Sequence, residues 1–224
     1  VQLGKYTIGV PITLPPRAFN FGAQTTDRVN QGTGGIAYDG IWAGIAEFSA
    51  GLQKTSYHRT LSLKNTPDNV IEDKPWLYNA TAAFHVTNKI VLFGSYTNGL
   101  EESGEAPNNA TNRGEALPAS RTSQVDAGIR YSITPDLNAV VTLFQIKKPY
   151  FNLNTAGLYT DVGDLRHRGL EFSLAGKLAD GLTIVAGTVF LNGEISGDLV
   201  TRGVIGKKAV GRTPRVTRLN LEYG

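Results

Sequence analysis

Residue types that could run chemistry are thinly spread along this chain. His58, His85 and His167 are the three histidines, and they stand far apart. None belongs to a His-Glu-x-x-His pair or has a second ligand at helix or strand spacing, so no metal site is written locally. Gly206-Lys207-Lys208 lacks the upstream glycine and the following Ser or Thr of a phosphate-binding loop. Glu101 and Glu102 are adjacent loop residues, which do not face one substrate as paired catalytic carboxylates do. With Cys 0 there is neither a thiol nucleophile nor a disulfide. No nucleophile, base and orienting group come together, which argues against an enzyme and against any cofactor or metal. The densest cluster is Tyr150, Phe151, Tyr159, Arg166 and His167, in a loop bracketed by "KKPYFNLNTAGLY" and "LRHRG". It offers aromatic faces for stacking and guanidinium groups for charge-assisted hydrogen bonds, the means of binding an anionic, ring-bearing ligand.

What must hold these residues is a set of strands. In "RHRGLEFSLAGKLADGLTIVAGTVF", Leu170, Phe172, Leu174 and Leu178 share one phase and Glu171, Ser173 and Lys177 the other. That period of two marks a strand wet on one side. Asp180-Gly181 supplies the positive φ of a tight turn, and Leu182, Ile184, Ala186 and Phe190 resume the apolar phase on the way back. Similar alternation predicts strands over Thr26–Tyr38, Ile41–Gln53, Trp76–Val86, Ile90–Leu100, Arg121–Tyr131, Leu137–Ile146, Arg166–Leu178, Leu182–Glu194 and Arg212–Tyr223. Each arm reaches the 9–11 residues or so that a tilted strand needs to cross a bilayer.

The connections sort into two kinds. Short ones are expected at Asp39-Gly40, Thr87–Lys89, Ser132–Asp136 and Ala179–Gly181, long ones at Lys54–Pro75, Glu101–Ser120, Lys147–Leu165 and Ile195–Gly211. In an antiparallel meander this alternation puts every tight turn at one end and every long loop at the other, the sidedness of an outer-membrane barrel. Tyr38, Trp42, Tyr131 and Tyr223 then fall at the tight-turn ends, and Trp76, Tyr78 and Phe190 toward the loop ends, as two interfacial girdles require. The expected fold is all-β: an up-and-down antiparallel meander of about nine or ten strands, an arc of a large outer-membrane barrel that satisfies its backbone by closure, with lipid outside and water inside.

Composition agrees. Gly 26, Tyr 9 and Phe 9 with 18% charged residues describe a turn-rich β protein. A net charge of +3 is scattered, with no basic stripe interleaved with aromatics, so no nucleic-acid partner is expected. No run of about 18 apolar residues could form a transmembrane helix. "VQLGKYTIGV" lacks the regions of a signal peptide, and the span reads as a mature piece or an excised segment.

Certain stretches resemble a known family, the barrel of TonB-dependent outer-membrane receptors, especially its siderophore-receptor branch. "LPASRTSQVDAGIRYSI" (117–133) is similar to that family's Pro-x-x-Ser/Arg-x-x-Gln strand start, and "AVVTLFQIKKP" (139–149) to its strand ending in a basic residue and Pro. "RHRGLEFSLAGKLADGLTIVAGTVFLNGEI" (166–195) resembles its Arg-x-Arg-Gly-x-Glu strand, turn and return strand, and "GRTPRVTRLNLEY" (211–223) the strand after the next loop. The resemblance implies a barrel of about 22 strands around a plug. Such a barrel binds a ferric siderophore or similar small nutrient on the loop side, and the inner-membrane TonB energy-coupling complex, acting through the N-terminal plug domain, drives release inward. Residues 1–224 correspond to one partial barrel domain without plug, coupling box or terminal aromatic residue. Under the resemblance the lipid bilayer is a partner, the loop cluster suits anionic siderophores with aromatic chelating rings, and Arg168 is a framework residue facing lumen or plug carboxylates. A passive porin or autotransporter barrel is the alternative, and from another class a soluble β-sandwich binding module.

Overall fold

A computed structural model describes residues 22, 24–64 and 66–224 of the chain. The expected domain span 1–224 therefore begins outside the described residues. Among the described residues ten strands form one antiparallel sheet: β1 (Thr26–Trp42), β2 (Ala46–Ser62), β3 (Asn69–Asp73), β4 (Trp76–His85), β5 (Ile90–Glu101), β6 (Ser120–Thr134), β7 (Leu137–Leu153), β8 (Tyr159–Ala179), β9 (Leu182–Ser196) and β10 (Arg215–Tyr223). A single helical turn, α1 (Asp198–Thr201), follows β9. The spatial order is β1-β2-β4-β5-β6-β7-β8-β9-β10, with β3 pairing only with β2. Consecutive long strands are neighbours throughout, as an up-and-down meander requires, and β1 and β10 are the edges. A two-layer sandwich is not what these residues build.

Register fixes two faces. Ile36 opposes Leu52, Leu52 opposes Tyr78, Tyr96 opposes Val125, Ile129 opposes Val141, Val141 opposes Phe172 and Ala186 opposes Leu219. A cross-strand partner lies on the same face, so these residues form one apolar belt. The other phase carries Asn79, Thr81, Gln124, Asp126, Arg130, Glu171, Ser173 and Lys177. There Asp126 accepts hydrogen bonds from Ser95 Oγ (2.9 Å) and Gln124 Nε2 (2.9 Å). The apolar belt is left bare: Ile36 is 77% exposed, Trp42 74% and Leu143 62%. An apolar face this open has an apolar solvent rather than a packing partner.

Buried side chains sit instead on the polar side and among the loops: Leu165, Ile195 and Leu199 in one group, and Tyr57, Leu61, Ala106, Ala110 and Leu117 among those at the other end of the sheet. Glycines on the polar face make room for rings. Gly128 opposes Phe93 and Gly169 opposes Phe144, and a Cβ at either glycine would overlap the facing ring.

The connections differ from expectation in instructive ways. The first tight turn is not at Asp39-Gly40 but at Ala43–Ile45, where Ile45 N–H donates to Trp42 O (2.7 Å) and Ala43 and Gly44 take φ of 44° and 69°. The Asp-Gly pair stays in strand, Asp39 opposite Ser49 and Gly40 opposite Phe48, and Gly40 lies beside the Tyr38 ring, where a Cβ would stand 3.1 Å from Tyr38 Cε1. The expected loop Lys147–Leu165 is largely strand. β7 runs on to Leu153 and β8 begins at Tyr159, and the tip is closed by Asn154, whose Oδ1 accepts from the N–H groups of Ala156 (2.9 Å) and Leu158 (3.0 Å). At 21 residues β8 is about twice what a bilayer crossing requires, so its upper half projects beyond the belt.

Candidate functional site

The belt ends at definite rows. On β2 the outward series Phe48, Ala50, Leu52 stops at Lys54, which opposes Trp76 and holds its Nζ 5.0 Å from that ring, and above it stand Ser56, His58 and Thr60. On β8 the series Leu174, Phe172, Leu170 gives way to Arg168 and Arg166. Everything toward the long loops from these rows lies outside the apolar zone.

One part of this upper region is a roof. Arg59, 2% exposed, donates from Nε and Nη2 to the Asp27 carboxylate (3.0 and 2.7 Å) and from Nη1 to the carbonyls of Ser103 and Gly104. Glu102 and Glu105 approach its Nη2 at 3.9 and 3.8 Å. Hydrogen bonding to Arg59 holds the Asp27 carboxyl below its ordinary range, and burial pushes the nearby Tyr57 phenol up. This buried cation fastens the 102–119 loop to β1 and β2. The far side of the loop reaches the β7–β8 hairpin. Thr111 N–H donates to Gly157 O (2.9 Å), Asn112 Nδ2 donates to Tyr159 O (3.1 Å) and Tyr159 N–H donates to Asn112 Oδ1 (2.9 Å). A loop with no regular structure is thereby fixed across the mouth of the sheet.

Below that hairpin tip the polar face carries a line of side chains on β7 and β8. His167 opposes Ile146 and Gly193, and it is 6% exposed. Gly193 leaves the imidazole its room, since a Cβ there would stand 3.0 Å from His167 Cδ2. Burial first, then the positive charges of Arg212 and Lys148, lower the His167 pKa and favour the neutral ring, and its Nε2 is buried without a hydrogen-bond partner. Lys148 shares this phase and reaches Glu101 Oε2 at 3.3 Å. Tyr150 follows by alternation and accepts on its hydroxyl a hydrogen bond from Asn152 Nδ2 (3.3 Å). An ammonium, a phenol and an amide thus line one strip backed by a buried imidazole, a surface for hydrogen-bonding and stacking with a polar ligand rather than for bond cleavage.

The predicted cluster is split by this geometry. Tyr150 and His167 share the polar strip, and Tyr159 sits at the hairpin end opposite Leu153, pinned by Asn112. Arg166 opposes Lys147 and Glu194 in the same phase as Leu170, so it lies on the outward face, and alternation along β7 puts Phe151 with Lys147 on that side too. Arg168 is likewise a correction: it donates from Nε to Gln145 Oε1 (2.8 Å) on the outward face and does not point at lumen carboxylates. The sequence reading missed Lys148 and Asn112 and set Glu101 aside as a loop residue, whereas it ends β5 and pairs with Lys148. Lys148 is two residues from Tyr150 in an alternating run, a signal obscured by treating 147–165 as loop. His58 and His85 have ordinary partners, Glu72 (3.2 Å) and Glu47 (2.9 Å).

Comparison with known proteins agrees with this architecture. The family model for the TonB dependent receptor-like beta-barrel matches residues 12–223. An uncharacterized TonB-dependent receptor of Haemophilus influenzae is 30% identical over 170 residues, 72% of this chain and 48% of that protein. The ferric preacinetobactin receptor BauA of Acinetobacter baumannii superposes with a TM-score of 0.70 at 22% identity, covering 89% of this chain and 30% of that one. The alcaligin outer membrane receptor FauA of Bordetella pertussis gives 0.71 at 12% identity over 89% of this chain and 35% of that one. The ferripyoverdine receptor of Pseudomonas aeruginosa, solved with ferripyoverdine bound, gives 0.69 at 16% identity, with coverage of 88% and 26%. At these identities the structural likeness is one of fold. The chain spans about half the length of the curated relative it matches, 48%, and about a third or less of these solved chains.

Proposed function

This chain belongs to the TonB-dependent receptor β-barrel family, and from that premise we propose that the protein of which it forms the barrel arc takes up a ferric siderophore or a similar small nutrient. Its family and structural neighbours are receptors and transporters of the bacterial outer membrane, not enzymes. The apolar belt meets lipid and the polar phase lines the lumen. In the proposed cycle the ligand enters from the long-loop side, an N-terminal plug domain of the same full-length chain closes the lumen, and the inner-membrane TonB complex acting on that plug drives release inward. A passive porin is the weaker reading, because the family model that matches is that of the receptor barrel.

The observation that carries the ligand reading is the strip of Lys148, Tyr150 and Asn152 on the lumen face, backed by the buried His167 and leading to the hairpin tip that the 102–119 loop holds at Gly157 and Tyr159. Lys148, paired with Glu101, supplies an ammonium for an anionic chelate and Tyr150 supplies a ring for chelating groups to stack on, while the buried imidazole of His167 backs the strip. The test is equilibrium binding of ferric siderophores to the full-length receptor, wild type against Tyr150→Ala with Lys148→Gln. Loss of about 1–3 kcal/mol is expected if these are buried anchors, with heat-modifiable gel migration unchanged because both side chains sit on the part of β7 above the apolar belt and both substitutions keep the backbone pairing. Unchanged affinity in the folded variant would move ligand capture away from this strip.

A further inference from the structure

Toward the long loops the pairing of β10 with β9 breaks off and then resumes. Leu191 N–H donates to Pro214 O (2.8 Å), the last bond of the continuous ladder. Over 210–213 the chain leaves β9, with Val210 95% exposed and Gly211 at φ 75°. It rejoins β9 where Ala209 N–H donates to Gly193 O (3.2 Å) and Ile195 N–H donates to Lys207 O (2.7 Å). Gly206 ends the returning stretch in open space, since a Cβ there would meet nothing. Residues 207–210 are therefore a short flap between two glycines. Two backbone bonds hold it to β9, together with the exposed Lys207–Glu194 ion pair (3.6 Å), which contributes little.

The flap lies against His167. The place that a Cβ of Gly193 would occupy is bounded by His167 Cδ2 and Nε2, at 3.0 and 3.2 Å, and by Ala209 Cβ, at 3.3 Å. The unpartnered Nε2 edge of the ring thus meets the line along which the flap is attached. The charged and titratable groups around the ring are Lys148 of β7, its partner Glu101 of β5, Tyr150 beyond it in the same phase, and Arg212 from the segment that follows the flap. β9 presents only Gly193 there, and Glu194 lies in the opposite phase. His58 and His85 each have a carboxylate, at 3.2 and 2.9 Å, whereas among the described residues none lies within salt-bridge distance of His167. An imidazolium donates from both ring nitrogens. With the flap down, the proton added to this ring finds neither an acceptor nor water at Nε2, and its charge stands beside two others of the same sign.

We propose that His167 and the 207–210 flap form an acid-released latch: with the imidazole neutral the flap lies along β9 and covers it, and with the imidazole charged the flap lifts about Gly206 and Gly211. Lifting admits water to Nε2 and carries Arg212 away from the ring. The direction follows from linkage. The closed latch lowers the His167 pKa, whereas the open one returns the ring to its ordinary value of about 6.5. Closure is therefore fully favoured above that value, weakens as pH falls through it, and stops weakening once the covered ring is charged as well. Opened, the latch adds an imidazolium to the Lys148 end of the lumen strip, so a change of charge there accompanies the change of shape. The device is independent of which ligand the receptor takes up.

The test is amide hydrogen exchange of the full-length receptor in lipid nanodiscs, read by mass spectrometry and corrected for the intrinsic pH dependence of exchange. It is run at about pH 7.5 and about pH 5.5, either side of the ordinary histidine value. The reporters are the Ala209 and Ile195 amides, whose bonds close the flap, with the β6 amides as reference. Protection at both reporters should fall severalfold at the lower pH while β6 is unchanged. His167→Gln, which cannot take up the proton, should abolish the fall. Arg212→Gln, an exposed change outside the strands, should shrink it by removing one of the two charges that oppose the imidazolium, and this variant serves where His167→Gln does not fold. Protection that does not respond to pH in the wild type, an equal fall in folded His167→Gln, or an undiminished fall in Arg212→Gln would overturn the proposal.

Discussion

The native Arg168 makes a depth scale out of β8, and Phe172→Arg is the perturbation that uses it. Arg168, Leu170, Phe172 and Leu174 share one face with no irregularity between them, since each residue from 166 to 177 has its β9 partner in unbroken register. Four residues at about 3.3 Å each, along a strand tilted by about 40°, put Phe172 about 10 Å below Arg168. The apolar band of an outer-membrane barrel is about 25 Å tall, so Phe172 lies within a few ångströms of its middle. Phe172 is 40% exposed between Val141 and Thr188, leaving no polar neighbour on its face for a guanidinium to reach except the Thr188 hydroxyl. An arginine there should cost about 2–4 kcal/mol, whereas Leu170→Arg, about 5 Å down, should cost about half as much because the penalty falls toward the interface. Glu171→Ala, on the lumen face, should cost less than either. The assay is denaturant unfolding of the full-length receptor in phospholipid vesicles, followed by tryptophan fluorescence and gel migration. A flat series across positions 170 and 172, or a larger loss for Glu171→Ala, would refute the face assignment and with it the lipid-facing reading of Arg166 and Arg168.

Other outcomes follow from particular contacts. Gly169→Ala should destabilise the barrel by about 1–3 kcal/mol by overpacking the Phe144 ring. Adding Phe144→Ala should recover part of that loss, whereas simple additivity in the same unfolding assay would show that the ring is not the obstacle. Arg59→Met should free the 102–119 loop, at an expected cost of about 2–3 kcal/mol, toward the low end for a buried pair because Asp27 keeps about a third of its side chain in water. Hydrogen exchange at Thr111 and Tyr159 amides should rise while that of β6 is unchanged. Because the Asp27 pKa is lowered by Arg59, its contribution is fully present above the unfolded carboxylate value of about 3.9 and is lost as pH falls through the lower folded value. The same amides should therefore keep their protection at pH 5 and begin to lose it only below pH 4 or so.

Strand identity and facing were legible in the sequence because a strand's side-chain period is two and one face must be apolar. That suffices for Leu170, Phe172 and Leu174 against Glu171, Ser173 and Lys177, and the same parity carried back two steps already puts Arg168 and Arg166 outside. The family resemblance, which assigned Arg168 to lumen or plug carboxylates, overrode that parity, and the loop assumption for 147–165 hid instead the strand position of Lys148, since Asn154 and Gly157 close a tight tip rather than a long excursion. Composition likewise marks Asp39-Gly40 as a turn, and only the register, which runs on to Trp42 opposite Ala46, keeps it in the strand. The Arg59 node, the Asn112–Tyr159 clasp and the lone imidazole of His167 could not have been read from the chain. Each joins residues tens of positions apart or depends on what a glycine across the sheet leaves empty. Periodicity is a local property and the sequence holds it. Which side chains meet across a mouth is decided by register, bulges and loop closure, and those exist only once the sheet has formed.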